Sequence, residues 1–179
     1  MTPAQPAIVV FGSSSIPTWD PIYAQAIELG NRLAGAGFSV VNGGYFGLMG
    51  AVSRGSCSKG GSTLGVTSQT FSFRSGPNPW LSETLEEKNS VQRLGTMIQL
   101  AQGAIAMPGN LGTLNEILML MTLWKVRESE IPLILWKNPF EKCLNFLQQE
   151  GILDFDTCAR LHYVETPKEA LCLIQKTMT

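Results

Sequence analysis

The chain has 179 residues, 44% of them hydrophobic and 15% charged, enough to bury a core without disulfide or metal staples. Its formal net charge is −1, and no basic run or clustered Lys/Arg face stands out, which argues against nucleic acid as a main partner. With a single histidine, His162, a multi-histidine metal centre within one chain is excluded, and no metal is expected.

Taken from the start, Met1-Thr-Pro-Ala-Gln-Pro6 carries no basic segment ahead of an apolar one, so a signal peptide is not expected. Ala7-Ile-Val-Val-Phe11 is a continuous apolar, β-branched run, the pattern of a strand buried on both faces of a parallel sheet, and it ends in Gly12-Ser13-Ser14-Ser15. Asp20-Pro21 gives an N-cap followed by proline at the first helical position, and Ile22, Ala26, Leu29 and Leu33 recur at helical spacing until Gly35–Gly37. Phe38–Val41 forms a second strand that delivers the chain to Asn42-Gly-Gly-Tyr-Phe-Gly-Leu-Met-Gly50, with a small-residue helix over Leu48–Cys57. Thr63–Thr67 is a third strand, and the polar, proline-bearing stretch from Ser68 to Ser82 has the length of a functional loop or lid.

From Glu83 to Leu100 the pattern is helical, with Leu94, Met97, Ile98 and Ala101 on one face and Arg93 away from it. Ala104–Met107 is another buried strand, broken by Pro108-Gly109-Asn110 before a helix over Leu111–Val126. That helix is apolar nearly all round, so it should be buried on more than one side, against the sheet and against a second subunit. Pro132–Trp136 and Leu161–Val164 complete the strands, with helices over Pro139–Glu150 and Pro167–Met178. The βα alternation predicts one domain over residues 1–179, an α/β, Rossmann-like doubly wound parallel sheet with helices on both faces. Cys57, Cys143, Cys158 and Cys172 show no C-x-x-C pairing, and reduced thiols in a cytoplasmic protein are expected. No apolar run approaches membrane-spanning length, so no membrane partner is expected.

In an open sheet of this kind ligands bind outside the carboxyl ends of the strands, where the loops at Gly12, Gly43 and Pro108 emerge. The strand–loop–helix junction from Gly103 to Glu116 aims backbone N–H groups and the positive end of a helix at one point, which favours an anion such as phosphate. Gly12-Ser13-Ser14-Ser15 lacks G-x-G-x-x-G spacing, and Asn42-Gly43-Gly44 places no acid after the second strand, which disfavours a dinucleotide. Lys59-Gly60-Gly61-Ser62-Thr63 has the residues of a P-loop in the wrong order.

Two stretches resemble a known family. Gly43-Gly44-Tyr45-Phe46-Gly47-Leu48-Met49-Gly50 is similar to a G-G-x-x-G-L-M-G loop, and Pro108-Gly109-Asn110-Leu111-Gly112-Thr113-Leu114-Asn115-Glu116 resembles the P-G-G-x-G-T-x-x-E signature of the LOG family. These are cytokinin riboside 5'-monophosphate phosphoribohydrolases, also labelled possible lysine decarboxylases. The resemblance runs from the first strand to about Glu150 and implies a Rossmann-like, usually dimeric protein without a cofactor. It implies hydrolysis of the N-glycosidic bond of a nucleoside 5'-monophosphate, and it places the catalytic pair at Arg93 and Glu116, with Met97 matching a methionine of the family. Three positions depart from the pattern: Asn110 for the second glycine of P-G-G, Leu94 for a residue that is commonly lysine, and Asn42 for the first of three glycines.

On this reading the ligand is held by Gly12, Ser13, Gly43, Gly44, Met49, Gly50, Met97, Gly109, Asn110, Gly112 and Thr113. Ser13 and Ser14 equally suit turn capping, Tyr45 and Phe46 suit packing as well as base stacking, and Thr113-x-x-Glu116 also fits a capping box. Asn110 is tolerated because asparagine accepts left-handed backbone, and the lysine absent at Leu94 removes a positive charge near the pocket. A non-catalytic nucleotide or molybdenum-cofactor carrier is the alternative of a different class, since such carriers look similar in the same loops. Pyridoxal phosphate chemistry needs a Schiff-base lysine, for which neither glycine loop offers a candidate.

Overall fold

The computed structural model describes residues 5–71 and 76–178. Among these, seven strands form one parallel sheet: β1 (Ala7–Phe11), β2 (Ser39–Asn42), β3 (Thr63–Ser68), β4 (Glu83–Glu87), β5 (Gly103–Ala106), β6 (Leu133–Trp136) and β7 (His162–Val164). Their spatial order is β4-β3-β2-β1-β5-β6-β7. The helices are α1 (Pro21–Gly35), α2 (Leu48–Ser58), α3 (Ser90–Gln99), α4 (Leu111–Lys125), α5 (Lys137–Gln149), α6 (Phe155–Ala159) and α7 (Pro167–Thr177). This is the α/β, Rossmann-like doubly wound sheet expected from the alternation of elements.

β1 shows why its sequence is apolar throughout. Ala7, Val9 and Phe11 enter one core, shared with α3, α4 and α5, while Ile8 and Val10 enter the other, shared with α1, α2 and α7. Both faces are covered, as a central parallel strand requires. None of the helices in the described residues is long and apolar enough to cross a membrane.

The helix expected from Glu83 begins later. Glu83–Glu87 pairs in parallel with β3, from Leu64↔Glu83 to Ser68↔Glu87, and forms the sheet edge. Its glutamates suit a helix in isolation, but an edge strand tolerates and even profits from exposed charge, which discourages edge-to-edge association. Asn89 then accepts hydrogen bonds from the Val91 and Gln92 N–H groups and starts α3 at Ser90. The short α6, capped by Asp154, has no counterpart in the sequence-based elements. Of the long loop from Ser68 to Ser82, residues 72–75 lie outside the described residues, and Gln69–Phe71 form a single 3-10 turn.

Helices α1 and α2 cross with their backbones nearly in contact. A Cβ at Gly30 would sit 2.1 Å from the Val52 carbonyl oxygen, and one at Gly55 would sit 2.0 Å from that of Ile27. Gly55→Ala is therefore expected to push the helices apart and cost about 2 kcal/mol, typical of overpacking, read as a lower urea midpoint with an unchanged slope.

Candidate active site

The strand order reverses direction at β1, flanked by β2 on one side and β5 on the other, so the loops after β1 and β5 leave toward opposite faces. The crevice between them is the expected ligand position in an open α/β sheet. Three backbone hydrogen bonds lace the loops together: Met107 N–H to the Phe11 carbonyl (2.9 Å), Ser13 N–H to that of Pro108 (3.1 Å), and Leu48 N–H to that of Ser13 (2.9 Å). Gly47, at φ 66°, makes the last approach feasible, because a Cβ there would lie 2.4 Å from the Ser13 carbonyl oxygen.

A cavity of about 300 Å³ opens at this crevice. Its wall brings together Arg93 and Glu116 with Gly12, Ser13, Met49, Asn110, Gly112 and Thr113 of the residues expected to hold ligand. Ser14 and Tyr45 join them, as do Phe71 and Leu111, neither of which is among the residues expected to hold ligand. Phe46 is instead 42% exposed and stands outside the wall.

Gly43, Gly44, Gly50, Met97 and Gly109 do not line the cavity; they shape it from behind. A Cβ at Gly43 would lie 1.6 Å from Arg93 Nη2 and 2.8 Å from Met49 Sδ, so this glycine makes room for the arginine. Gly44 has φ +79° and its carbonyl accepts from the Asn78 N–H (2.8 Å) and Nδ2 (3.1 Å), which ties the loop to the segment before β4. Gly109 lies under Thr113, where a Cβ would meet Oγ1 at 2.1 Å. Gly50 sits in α2, where a Cβ would lie 3.5 Å from the Trp80 ring, and Met97, on α3, is fully buried in the core.

Each departure from the family pattern has a local reason. Asn42 is fully buried; its Nδ2 donates to Ser53 Oγ (2.9 Å) and the Met49 carbonyl (3.3 Å), and its Oδ1 accepts from the Gly44 N–H (2.8 Å). The amide thus stitches the second glycine loop to α2. Leu94 is buried in the core and is not among the residues that line the cavity. Asn110 has φ −96°, an ordinary extended backbone, so the left-handed tolerance of asparagine is not what admits it.

Asn110 is also the N-cap of α4, and its side chain makes no capping hydrogen bond. Thr113 therefore falls at the third helical position rather than at the cap, and the Thr113–Glu116 capping box does not form. Glu116 is left to line the cavity one turn further along. It is half-buried, and burial of its carboxyl raises the pKa from the ordinary 4.5 to about 7, with the Arg93 charge pulling in the opposite direction. Arg93 itself is buried and donates from Nε to the Val66 carbonyl at 2.7 Å.

The chemistry of such a wall is that of an acid–base group poised near neutrality beside a fixed cation, under the N-terminus of a helix. Among the described residues its lining contains no lysine, so the residues there do not fit pyridoxal phosphate bound as a Schiff base. Among the described residues no group of three or more His, Cys, Asp or Glu side chains could hold a metal ion.

A doubly wound sheet with one polar cavity at its switch point defines a Rossmann-like ligand-binding domain. Among solved structures, the molybdenum cofactor binding protein of Rippkaea orientalis shares this fold, with a TM-score of 0.77 and 21% identity over 98% of each chain. In sequence, the chain is 30% identical over 171 residues to the cytokinin riboside 5'-monophosphate phosphoribohydrolase LOG4 of Arabidopsis thaliana, covering 89% of this chain and 76% of that one. It is 27% identical over 170 residues to the enzyme of the same name from Mycobacterium tuberculosis, covering 92% and 90%. The family model described as "Possible lysine decarboxylase" matches residues 49–174, and the chain belongs to that family, the LOG family.

Proposed function

We propose that this cavity hydrolyses the N-glycosidic bond of a nucleoside 5'-monophosphate, of the AMP or cytokinin riboside type, to free base and ribose 5-phosphate. The observation that carries the reading is the placement of Glu116, raised toward neutrality, and Arg93 on one wall with the N-terminus of α4. The names of the sequence relatives support the same substrate class.

In this reading the 5'-phosphate accepts hydrogen bonds from the first-turn N–H groups of α4, the Ser13 hydroxyl and the Asn110 amide. The C1'–N bond breaks with its electron pair leaving on the base, which takes a proton from solvent water as it departs, and positive charge develops on the sugar. The Glu116 carboxylate faces that charge and takes a proton from the water whose oxygen bonds to C1'. Arg93 favours the ionised carboxylate, opposing the effect of burial. A homodimer belongs to the proposal, with Leu114, Leu118, Met119 and Leu123 of α4 left half-buried in the single chain and available to a second copy.

The test is incubation of the protein with AMP and with N6-substituted adenosine monophosphates. Equimolar base and ribose 5-phosphate are expected. Tight binding with no product would overturn the reading in favour of a carrier. A sharper check uses Asn110→Asp, which sets a second negative charge beside the phosphate. Its KM for AMP is expected to rise about tenfold, with kcat little changed and adenosine unaffected.

A further inference from the structure

Arg93 is held by groups that are not substrate. Its Nε is fixed on the Val66 carbonyl at 2.7 Å, and its Nη2 fills the space that only a glycine at position 43 leaves open. Two aromatic rings contact the guanidinium: its carbon lies 5.7 Å from the Tyr45 ring centroid and 5.6 Å from that of Phe71. The rings meet edge to face, with centroids 5.9 Å apart at 67°. The Tyr45 hydroxyl accepts from the Ser68 N–H at 3.1 Å and donates to the Ser68 carbonyl at 3.4 Å. Ser68 ends β3 and leads directly into the 3-10 turn that carries Phe71. The phenol therefore ties the glycine loop after β2 to the turn after β3, and the guanidinium lies against both rings.

We infer that Tyr45 and Phe71 are positioning residues that act through Arg93, clamping its guanidinium at a fixed distance from Glu116. The Val66 hydrogen bond anchors Nε at one point, and the two rings restrict how far the rest of the guanidinium can shift about that anchor. Aromatic faces favour the cation without neutralising it, as a carboxylate would. Among the described residues, Arg93 and Glu116 are the two charged side chains of the cavity wall, so the distance between them bears directly on the field that the carboxyl experiences. Coulomb attraction falls with distance, and a guanidinium that can shift about its Val66 anchor is expected to let the Glu116 titration rise by about half to one pH unit.

The inference rests on the proposed function only in giving Arg93 and Glu116 a chemical task, and its test needs no turnover. The full-length chain is labelled with carboxyl-¹³C glutamate, and the Glu116 resonance, assigned by its loss in Glu116→Gln, is followed by NMR from pH 4 to 9. A wild-type midpoint near 7 is expected, with Phe71→Leu and Tyr45→Leu each raised by about half to one unit and Phe71→Tyr restored to the wild-type value. Folding of each variant is checked by circular dichroism, and Phe71, being only partly buried, is the position at which loss of fold is least expected. Midpoints in folded Phe71→Leu and Tyr45→Leu equal to that of the wild type would overturn the inference. Failure of the wild type to release base overturns the proposed function and leaves this titration result standing.

Discussion

Glu116→Gln is expected to lower base release from AMP by about 10²–10⁴-fold while nucleotide still binds, because the variant keeps the size and hydrogen-bonding ends of the side chain and loses its charge and basicity. A glutamine accepts no proton from the attacking water and offers no negative charge to the oxocarbenium-like sugar. The phosphate contacts proposed at the head of α4 do not involve position 116, so the loss should fall on kcat with KM nearly constant, the signature of an interaction made in the transition state. In the wild type the same carboxyl should give kcat/KM an acid limb near pH 7, since kcat/KM reports groups of the free protein and burial holds Glu116 protonated below that point. The AMP phosphate titrates about one unit lower, and the two limbs separate when the assay is repeated with a phosphonate analogue of shifted pKa. Activity in Glu116→Gln within threefold of wild type would reduce Glu116 to a structural residue of α4.

How far the site could be read from sequence depends on whether each constraint is written locally. The strand–glycine–helix junctions are local, so β1, β5 and the loops above them were legible, and the alternation of elements carried the doubly wound sheet. The purpose of Gly43 was not, because the atom that forbids a side chain there belongs to Arg93, fifty residues on. Phe71 and Asn78 were hidden for the same reason: each acts on the second glycine loop from a stretch whose composition says only "loop". The Thr113–Glu116 spacing fits a local capping rule as well as a site, and the choice between them depends on where the helix starts: with Asn110 as the N-cap, three residues earlier, the capping box does not form. At Glu83–Glu87 a local helical preference yielded to pairing with β3, a partner nineteen residues away.

The same substitution that removes activity is expected to stabilise the fold, and only on the alkaline side. The Glu116 carboxyl has a folded-state pKa near 7 against 4.5 when unfolded, so the folded state binds its proton more tightly. Stability contributed by the neutral form is fully present below about pH 4.5 and is lost as pH rises through 7, at which point the folded protein carries a buried carboxylate that the unfolded chain would hold in water. A rise from 4.5 to about 7 is worth about 3 kcal/mol when complete, and Arg93 has already reduced it from a larger figure. Glutamine imposes no such cost at any pH. Unfolding free energies from urea titrations should therefore nearly coincide for wild type and Glu116→Gln near pH 4.5 and separate by about 2–3 kcal/mol at pH 8.5, a rise of roughly 5–10 °C in Tm for a chain of this length. Arg93→Met should move the other way at pH 8.5, since it withdraws the cation and leaves the carboxylate. Equal midpoints for Glu116→Gln and wild type at both pH values would mean that water reaches the carboxyl in the folded state. Opposite effects of the two substitutions, each costing activity, would identify Arg93 and Glu116 as one electrostatic unit maintained against the stability of the sheet that holds it.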